Sequence, residues 1–584
     1  MNTAPTKSQV FRQGEAIGGD HAITGTLPML DDVIAFKKRT AEFDHGYYRF
    51  VSHPRLRRLE EALKARFGCR HCKLTESLET ALLELILCLR KPGTVSRILI
   101  MKEEGAAPPF SDECFLPECE RKGVSVMVRD CKSEIPTDLG RDDILLVSGG
   151  FSGAAKAADS AQGQGAAVVV VLKSTGGELP TRPDVPGARF YVLGLNASVG
   201  NAQNGVRAGA VLGNADRVMA RLAEQVKRRG AILSSRVADC FLGANSTQAA
   251  LDPAAPHRIA EALCRLEGGT NAFLYCSGMS AITRVLDILR RRGRSHIIAV
   301  GHLYSDTYQT LRLGANRFLG VDEVDALDGL VTEDTAAILT ETITNPLSDV
   351  PDLEVLSRVA RAHGVPLVVD NTIATPANCH PFDFGADYVI HSTTKYLNGR
   401  NDHGGGVVIV REPLLARQLS DSQSLLNDEM SPLEASALEK NLGSFPERMC
   451  RFNENAVNVA SFLARHPGVA RVFFNNIPSH RSFATARRLL KGPGSVISFT
   501  LMRNTWEGLR AFYDSRLHGI VKAPSLGSDV TLLCPYTLLT HFDDTDEELA
   551  EIGLPRFLVR ISVGCERDIS AVIESLDTAL LTYR

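Results

Sequence analysis

The chain has 584 residues, 44% of them hydrophobic and 23% charged, and a formal net charge of -3 at pH 7. Because single domains commonly hold about 100–200 residues, this length predicts roughly three or four folding units. The near-neutral charge excludes the strong field that gathers nucleic acid or anionic lipid, so we expect small molecules and other copies of the chain as partners, with no nucleic acid and no membrane.

Compartment and metal binding follow from the same composition. No apolar run reaches the ~18–20 residues of a membrane-spanning helix, and Met1 to Asp20 is polar and mixed, so we expect a cytoplasmic protein. Thirteen cysteines without a secretory signal favour reduced thiols over a disulfide framework. Cys69 and Cys72 form a CxxC, but no second such pair accompanies it, and we predict no metal site.

The first region, 1–233, alternates helical and strand patterns. Apolar residues recur at helical spacing from Arg55 to Phe67, and the β-rich segments VSRILIM, VSVMVRD, DILLVSG, AAVVVVL and ARFYVLGL follow. This alternation predicts an N-terminal α/β unit. Segments 149–165 and 173–187 are rich in small residues, with prolines in the second, and we predict loops there.

Two further regions follow in chain order. Between 234 and 426 the apolar segments HIIAV, AAILT and PLVVD alternate with helical patterns, which predicts a mostly parallel sheet. Between 427 and 584 a long helical stretch precedes the strand-like VISFTL, VTLLC and FLVRISV. That pattern is typical of a smaller α+β domain, so we predict domains at 1–233, 234–426 and 427–584.

The residues that carry chemistry lie in VVDNTIATP and, about twenty residues later, in DYVIHSTTKYLNGRNDHGGGVVIV. Here an acid ends one apolar strand and a lysine bracketed by hydroxyls follows another. These residue types match the needs of pyridoxal 5'-phosphate (PLP): Asp370 to keep the pyridine nitrogen protonated and Lys395 to bond the aldehyde. Ser392 and Thr394 stand where hydroxyl donors to the phosphate are needed.

The segment HSTTKYLNGRNDHGGG resembles the PLP-lysine signature of the Cys/Met-metabolism family, the cystathionine synthases and lyases. RLEGGTNAFLYCSGMSAI, HLYSDTYQTL, ETITNPLSDVPDL, APSLGSDVTLL and LVRISVGCER resemble further family segments in the family's order. The resemblance implies PLP-dependent transferase fold type I, with an aspartate aminotransferase-like large domain and a smaller C-terminal domain, here preceded by an α/β extension.

The resemblance also implies a set of site residues. Lys395, Tyr304 and Asp370 would be catalytic, with Tyr304 stacked on the pyridine ring. The implied cofactor-binding residues are Ser277, Gly278, Met279, Tyr304, Asn345, Asp370, Thr372, Ser392, Thr394 and Lys395. Ser525, Arg560 and Asn345 would bind the substrate, Arg560 through a bidentate contact with its α-carboxylate.

The chain departs from the family at several loops. The Tyr-x-Arg element, by which a neighbouring subunit reaches the cofactor phosphate, has only Arg236 as a candidate, with Ser234 at the tyrosine position. Whether Tyr47, Tyr48 or Arg49 replaces that tyrosine stays open. The usual Tyr-Gly-Gly-Thr is Tyr304-Ser305-Asp306-Thr307, and the usual Gly-His is Gly399-Arg400. The resemblance further implies a homodimer or homotetramer with shared active sites.

GYYRFVSHPRLRRLEEAL and GAILSSRVADCFLG resemble the fungal-type cystathionine γ-synthases, which carry a long N-terminal extension. This implies a γ-replacement joining an O-acylhomoserine, such as O-succinylhomoserine, to cysteine, giving cystathionine for methionine biosynthesis. An O-acylhomoserine sulfhydrylase, a cystathionine γ- or β-lyase, and an enzyme with another nucleophile remain alternatives. A non-catalytic PLP-fold interaction protein is the alternative from a different class.

Overall fold

The computed structural model describes residues 27, 29–38, 54–89, 96–102, 124–130, 143–148, 166–173, 182–183, 185, 188–199, 202–231, 233–241, 252–290 and 294–582. The predicted loop at 149–165, most of that at 173–187, the segment Met1 to Asp20, and Tyr47, Tyr48 and Arg49 lie outside these residues. Within the described part, no helix is long and apolar enough to cross a membrane.

The first unit is built on a seven-stranded sheet with the order β1-β7-β6-β5-β4-β2-β3. The strands are β1 His71–Thr75, β2 Ser96–Lys102, β3 Val124–Asp130, β4 Ile144–Ser148, β5 Ala167–Lys173, β6 Phe190–Val199 and β7 Ala202–Gly213. The helices in the same part of the chain are α1 Leu30–Lys38, α2 Pro54–Phe67, α3 Leu78–Leu89, α4 Asp216–Arg229 and α5 Ser235–Phe241. β7 runs antiparallel to β1 and β6, and all other pairs are parallel.

Continuous apolar runs form the central strands because both faces of the sheet are covered. Along β5, Val168 and Val170 belong to the core that α2 covers, whereas Val169 and Val171 belong to the core under α3 and α4. The four valines of the AAVVVVL segment are therefore all buried, and the strand predicted there is confirmed.

The second unit holds another seven-stranded sheet, with the order β10-β9-β11-β12-β13-β14-β8. Its strands are β8 Asn271–Tyr275, β9 His296–Val300, β10 Arg317–Leu319, β11 Thr335–Glu341, β12 Leu367–Asp370, β13 Tyr388–Ser392 and β14 Gly406–Val410. Its helices are α6 Ala255–Glu267, α7 Gly278–Arg290, α8 Ser305–Arg312, α9 Leu327–Leu330, α10 Leu353–His363, α11 Thr375–Asn378 and α12 Pro413–Leu426, with 3-10 turns at Val321–Ala326 and Pro381–Phe384. β14 is antiparallel to both neighbours and the remaining pairs are parallel.

The third unit is a five-stranded sheet with the order β15-β16-β19-β18-β17. Its strands are β15 Val469–Phe473, β16 Val496–Leu501, β17 Ile520–Lys522, β18 Thr531–Pro535 and β19 Val559–Ser562. Its helices are α13 Pro432–Leu442, α14 Phe445–Arg465, α15 Phe483–Leu489, α16 Trp506–Tyr513, α17 Tyr536–Thr540, α18 Asp546–Glu551 and α19 Ser570–Thr582. The pairs are antiparallel except for β17 with β18.

Helix α1 lies on the third sheet, although its residues fall within the predicted N-terminal domain, 1–233. Leu30 and Val33 belong to the core of the third unit. The Leu30 amide donates to Asp514 Oδ1 at 2.7 Å, and Asp31 pairs with Arg510 at 2.8 Å. The predicted α/β fold is confirmed, while the predicted domain boundaries stay predictions.

Candidate active site

The predicted site residues meet at the carboxyl ends of three neighbouring parallel strands. Glu341 ends β11 opposite Asp370 at the end of β12, and Asp370 lies opposite Ile390 in β13. Lys395 follows β13 in the loop to β14. One cavity is lined by eleven of the predicted residues: Ser277, Gly278, Met279, Tyr304, Asn345, Asp370, Thr372, Ser392, Thr394, Lys395 and Arg560.

An anion site is built at the N-terminus of α7. Ser277 Oγ accepts from the Ser280 amide at 3.0 Å, which holds the turn that opens the helix. Gly278 is needed because a Cβ there would lie 2.8 Å from Ser392 Cβ. Backbone N–H groups at a helix start, beside the Ser392 and Thr394 side chains, suit a phosphate group.

Asp370 provides a partly buried carboxylate on the cavity wall. Its Oδ1 accepts from the Thr372 amide at 2.9 Å, and the Thr372 hydroxyl accepts from the Ser392 amide at 2.8 Å. Burial raises the pKa of Asp370, while the hydrogen bonds from Thr372 and the charge of His391 oppose that rise. A carboxylate so placed gains most from a cationic partner such as a protonated ring nitrogen.

The Lys395 amine lies within the same cavity and is tuned toward its neutral form. Its Nζ donates to Ser525 Oγ at 3.1 Å. The pKa of Lys395 is lowered to about 7, chiefly by burial and then by the nearby Arg560 charge, while Asp306 acts in the opposite direction. A large fraction of the amine is therefore unprotonated, and nucleophilic, at neutral pH.

The Arg560 guanidinium is held by protein oxygens beside that amine. Nη1 donates to Asn345 Oδ1 at 3.1 Å, and Nη2 donates to the carbonyls of Pro524 and Ser525, the latter at 2.9 Å. The guanidinium carbon lies 5.2 Å from the Tyr536 ring centre. These contacts fix the orientation of a buried cation whose charge an anionic substrate group can neutralise.

Two predicted residues are not among those lining the cavity. Ser525 reaches it indirectly, through its hydrogen bond from Lys395. Arg236 donates to the Asp402 carbonyl at 2.8 Å and lies 3.6 Å from the Glu434 carboxylate. The role of Arg236 at the phosphate stays a prediction.

Several lining residues were missed by the sequence reasoning. Glu341 accepts from the Tyr304 amide at 2.5 Å, and burial, then the charge of Asp370, raises the pKa of this carboxyl well above its usual range. The sequence did offer a clue to Glu341, since this residue is the first of the ETITNP segment. Asp306 Oδ2 accepts from the Tyr304 hydroxyl at 3.0 Å. Lys227 comes from the first unit and no motif marks it.

The residues present fit the pyridoxal 5'-phosphate expected from the sequence. The cavity offers an amine for the aldehyde, a partly buried carboxylate for the ring nitrogen, and a helix start with hydroxyls for the phosphate. Among the described residues, no cluster of His, Cys, Asp and Glu suits a metal ion.

Comparison with known proteins also indicates a PLP-dependent enzyme. The family model "Cys/Met metabolism PLP-dependent enzyme" matches residues 253–581. L-methionine gamma-lyase of Pseudomonas putida is 33% identical over 325 residues, covering 54% of this chain and 81% of the relative. Cystathionine gamma-synthase of Mycobacterium leprae is 32% identical over 326 residues, covering 54% and 82%. A structure of cystathionine gamma synthase from Xanthomonas oryzae pv. oryzae, in complex with aminoacrylate and cysteine, has a TM-score of 0.53 and 31% identity, covering 57% of this chain and 86% of that one.

Proposed function

Because the chain belongs to the Cys/Met metabolism PLP-dependent enzymes, we propose that it joins an O-acylhomoserine to cysteine and releases cystathionine. The chain is a PLP-dependent enzyme of the transsulfuration type, acting on small molecules. The γ-replacement itself is supported by the N-terminal resemblance to fungal-type synthases and by synthases among the relatives.

One observation carries the amino-acid chemistry that the proposal needs: the hydrogen-bonded contacts from Lys395 through Ser525 to Arg560 and Asn345. They link Lys395 of the second unit to the buried Arg560 guanidinium, which the third unit contributes to the same cavity. An amino acid whose carboxylate is bound by Arg560 would present its Cα to Lys395. This is the arrangement that proton transfer at Cα requires.

The chain's residues would hold the cofactor at three points. Lys395 would form the covalent bond, Asp370 would pair with the ring nitrogen, and the α7 start with Ser392 would bind the phosphate. Tyr304 would cover the ring, with its hydroxyl positioned by Asp306. When bound, PLP supplies a ring that accepts the negative charge formed as protons leave the substrate carbons.

Lys395 would then act as the proton carrier. Its lowered pKa, about 7, leaves much of the amine unprotonated at neutral pH and able to accept the Cα proton. Loss of a Cβ proton expels the γ-acyloxy group as a carboxylate, and the cysteine thiolate, whose proton has gone to solvent, adds at Cγ. A proton then returns to Cβ and another to Cα, so the product keeps the hydrogens of both carbons. Arg560 and Asn345 would hold the α-carboxylate in place throughout these steps.

A γ-lyase is the second candidate, because methionine and cystathionine γ-lyases are among the relatives. A lyase would use Lys395, Asp370 and Arg560 in the same roles. The two reactions differ in whether a thiol adds or water releases a keto acid.

The test begins with the absorbance of the lysine-bound cofactor after adding PLP to the purified chain. O-succinyl-, O-acetyl- and O-phosphohomoserine are then assayed with cysteine and with sulfide, and cystathionine and methionine are assayed alone. Lys395→Ala removes the covalent bond, and Lys440→Ala, an exposed lysine on α13, is the matched control.

We expect the band in the wild type and in Lys440→Ala, none in Lys395→Ala, and cystathionine from one ester plus cysteine. Keto acid from cystathionine or methionine without γ-replacement would establish the lyase instead. A wild-type chain that shows no band would refute the enzyme assignment.

A further inference from the structure

The first two sheets have the same topology. Numbering each sheet's strands from one to seven along the chain gives the spatial order one, seven, six, five, four, two, three in both. The directions also agree, because in each sheet only the pairs made by the seventh strand are antiparallel. Two seven-stranded sheets with one order and one pattern of directions indicate that the first unit is a copy of the second.

The strand register also allows the first two sheets to be matched residue by residue. His71 pairs with Gly213 in the first sheet as Asn271 pairs with Val410 in the second. Following the chain from these pairs aligns Ser77 with Ser277. Each serine hydroxyl accepts from the amide three residues later, at 3.0 Å in both units.

The first unit lacks the catalytic residues of the second. Val169 pairs with Phe190 as Val368 pairs with Tyr388, which puts Val171 at the position of Asp370. The pair Gly194 and Gly209 corresponds to the pair Ser392 and Gly406, and β6 and β7 continue beyond it where the second unit has the loop that carries Lys395. The sequence of this hairpin contains no lysine. The first unit is thus a copy that cannot bond the cofactor.

The two units contact each other reciprocally. Ser277 Oγ donates to the Gly230 carbonyl, at the end of α4, at 2.7 Å. Ser77 Oγ donates to the Leu426 carbonyl, at the end of α12, also at 2.7 Å. Leu426 is buried in the core of the first unit. Such an exchange is what two like subunits make across a two-fold axis, and here both halves belong to one chain.

This contact brings the end of α4 to the cavity. Lys227 and Gly230 line it together with Gly278 and Ser392. The approach is close, since a Cβ on Gly230 would lie 2.2 Å from Ser277 Oγ. The first unit therefore reaches the cavity where the phosphate site is built.

Lys227 is the cation that α4 offers there. The next two residues are engaged elsewhere: Arg228 pairs with Glu224 at 2.8 Å, and Arg229 pairs with Glu84 at 2.7 Å. Within the described part of the chain, no carboxylate pairs with the Lys227 ammonium. A dianionic phosphate monoester in the cavity would provide the missing counter-charge.

We propose that the first unit is a non-catalytic copy that takes the place of a partner subunit, with Lys227 binding the cofactor phosphate from it. The active site is then complete within one chain, instead of being shared between subunits as the family resemblance implies. This inference rests on the proposed function, because it needs PLP in the cavity.

The first experiment measures cofactor dissociation constants in Lys227→Ala, Lys227→Arg and the control Arg228→Ala. Loss of a charge-assisted contact predicts PLP binding about 10- to 100-fold weaker in Lys227→Ala, with Lys227→Arg and Arg228→Ala close to wild type. Pyridoxal, which lacks the phosphate, should bind wild type and Lys227→Ala equally. PLP affinity unchanged by Lys227→Ala, or an equal loss for pyridoxal, overturns the assignment.

The second experiment distinguishes one chain from two. Lys395→Ala and Lys227→Ala chains with different tags are co-expressed, and mixed assemblies are isolated through both tags. If the site is completed within one chain, the cofactor bonded to Lys395 in the mixed assemblies keeps the weak affinity of Lys227→Ala. A failure of the two chains to associate would support the same conclusion. Restored affinity in mixed assemblies would show that the first unit serves another chain.

Two results separate this inference from the proposed function. A wild type without the cofactor band would refute both the proposed function and the role of Lys227. A wild type with a normal band, together with unchanged PLP affinity in Lys227→Ala, would refute this inference alone.

Discussion

Replacing Arg560 with lysine keeps a positive charge in the cavity but removes the planar guanidinium that Asn345, Pro524 and Ser525 hold in place. A lysine ammonium has no second nitrogen with which to meet both the protein acceptors and a substrate carboxylate. The substrate contact at issue is a charge-assisted, two-point hydrogen bond in a buried site, since Arg560 is only 4% exposed. Loss of such a contact costs about 2–3 kcal/mol, or roughly 30- to 150-fold in kcat/KM.

Arg560→Lys should weaken binding of the amino-acid substrate and leave binding of the cofactor unchanged. We expect KM for the homoserine ester to rise, while PLP affinity and its absorbance band stay near wild type. Steady-state kinetics with the ester varied at saturating cysteine measure this. Arg488→Lys, at a half-exposed surface ion pair with Asp352, controls for the substitution itself. A KM for the ester within about threefold of wild type would refute the assignment of Arg560 to the α-carboxylate.

Two further predictions concern the cofactor lysine and the contact between the first two units. Burial lowers the folded-state pKa of Lys395 to about 7, so below pH 7 the folded protein must hold a buried charge that the unfolded chain holds in water. Without PLP, the Lys395→Met protein should therefore unfold at a higher temperature than PLP-free wild type below pH 7. This difference in unfolding temperature should shrink as pH rises toward the usual lysine pKa. A difference that does not change with pH between 6 and 9 would contradict this. Gly230→Ala should lower both thermal stability and PLP affinity, because its Cβ would meet Ser277 Oγ at 2.2 Å, whereas Gly364→Ala, at a similar positive φ with open space around it, should cost only about 1 kcal/mol from backbone strain. Equal losses in these two glycine variants would argue against a tight contact at Gly230.

The sequence predicted the strands that carry the site because their burial leaves a clear pattern. Segments such as HIIAV and PLVVD contain unbroken apolar runs, as strands covered on both faces do, and both form strands in the structure. Asp370 and Lys395 were then assigned from their places just after such strands. Parallel strands end at one edge of a sheet, so residues far apart in sequence lie together there.

What the sequence could not predict depends on contacts between distant parts of the chain. The identity of topology between the first two sheets leaves little trace in the residues, since Val171 stands where Asp370 stands in the second unit. Lys227 lies in a basic helix end, KRRG, that looks like an ordinary favourable C-terminus. Only packing of α4 against α7 places it in the cavity, and no local pattern encodes that packing.

The position of α1 on the third sheet bears on how the chain is synthesised. The Leu30 amide and the Asp514 carboxylate that binds it are separated by 484 positions in the sequence. At about 5–20 residues per second, a ribosome needs roughly 25–100 s to travel between them. During that interval Leu30 and Val33 have no sheet to cover them, and the nascent helix exposes an apolar face of the kind that chaperones bind. The earliest helix in the described part of the chain is therefore among the last to find its place, and its docking depends on a sheet whose first strand begins only at Val469.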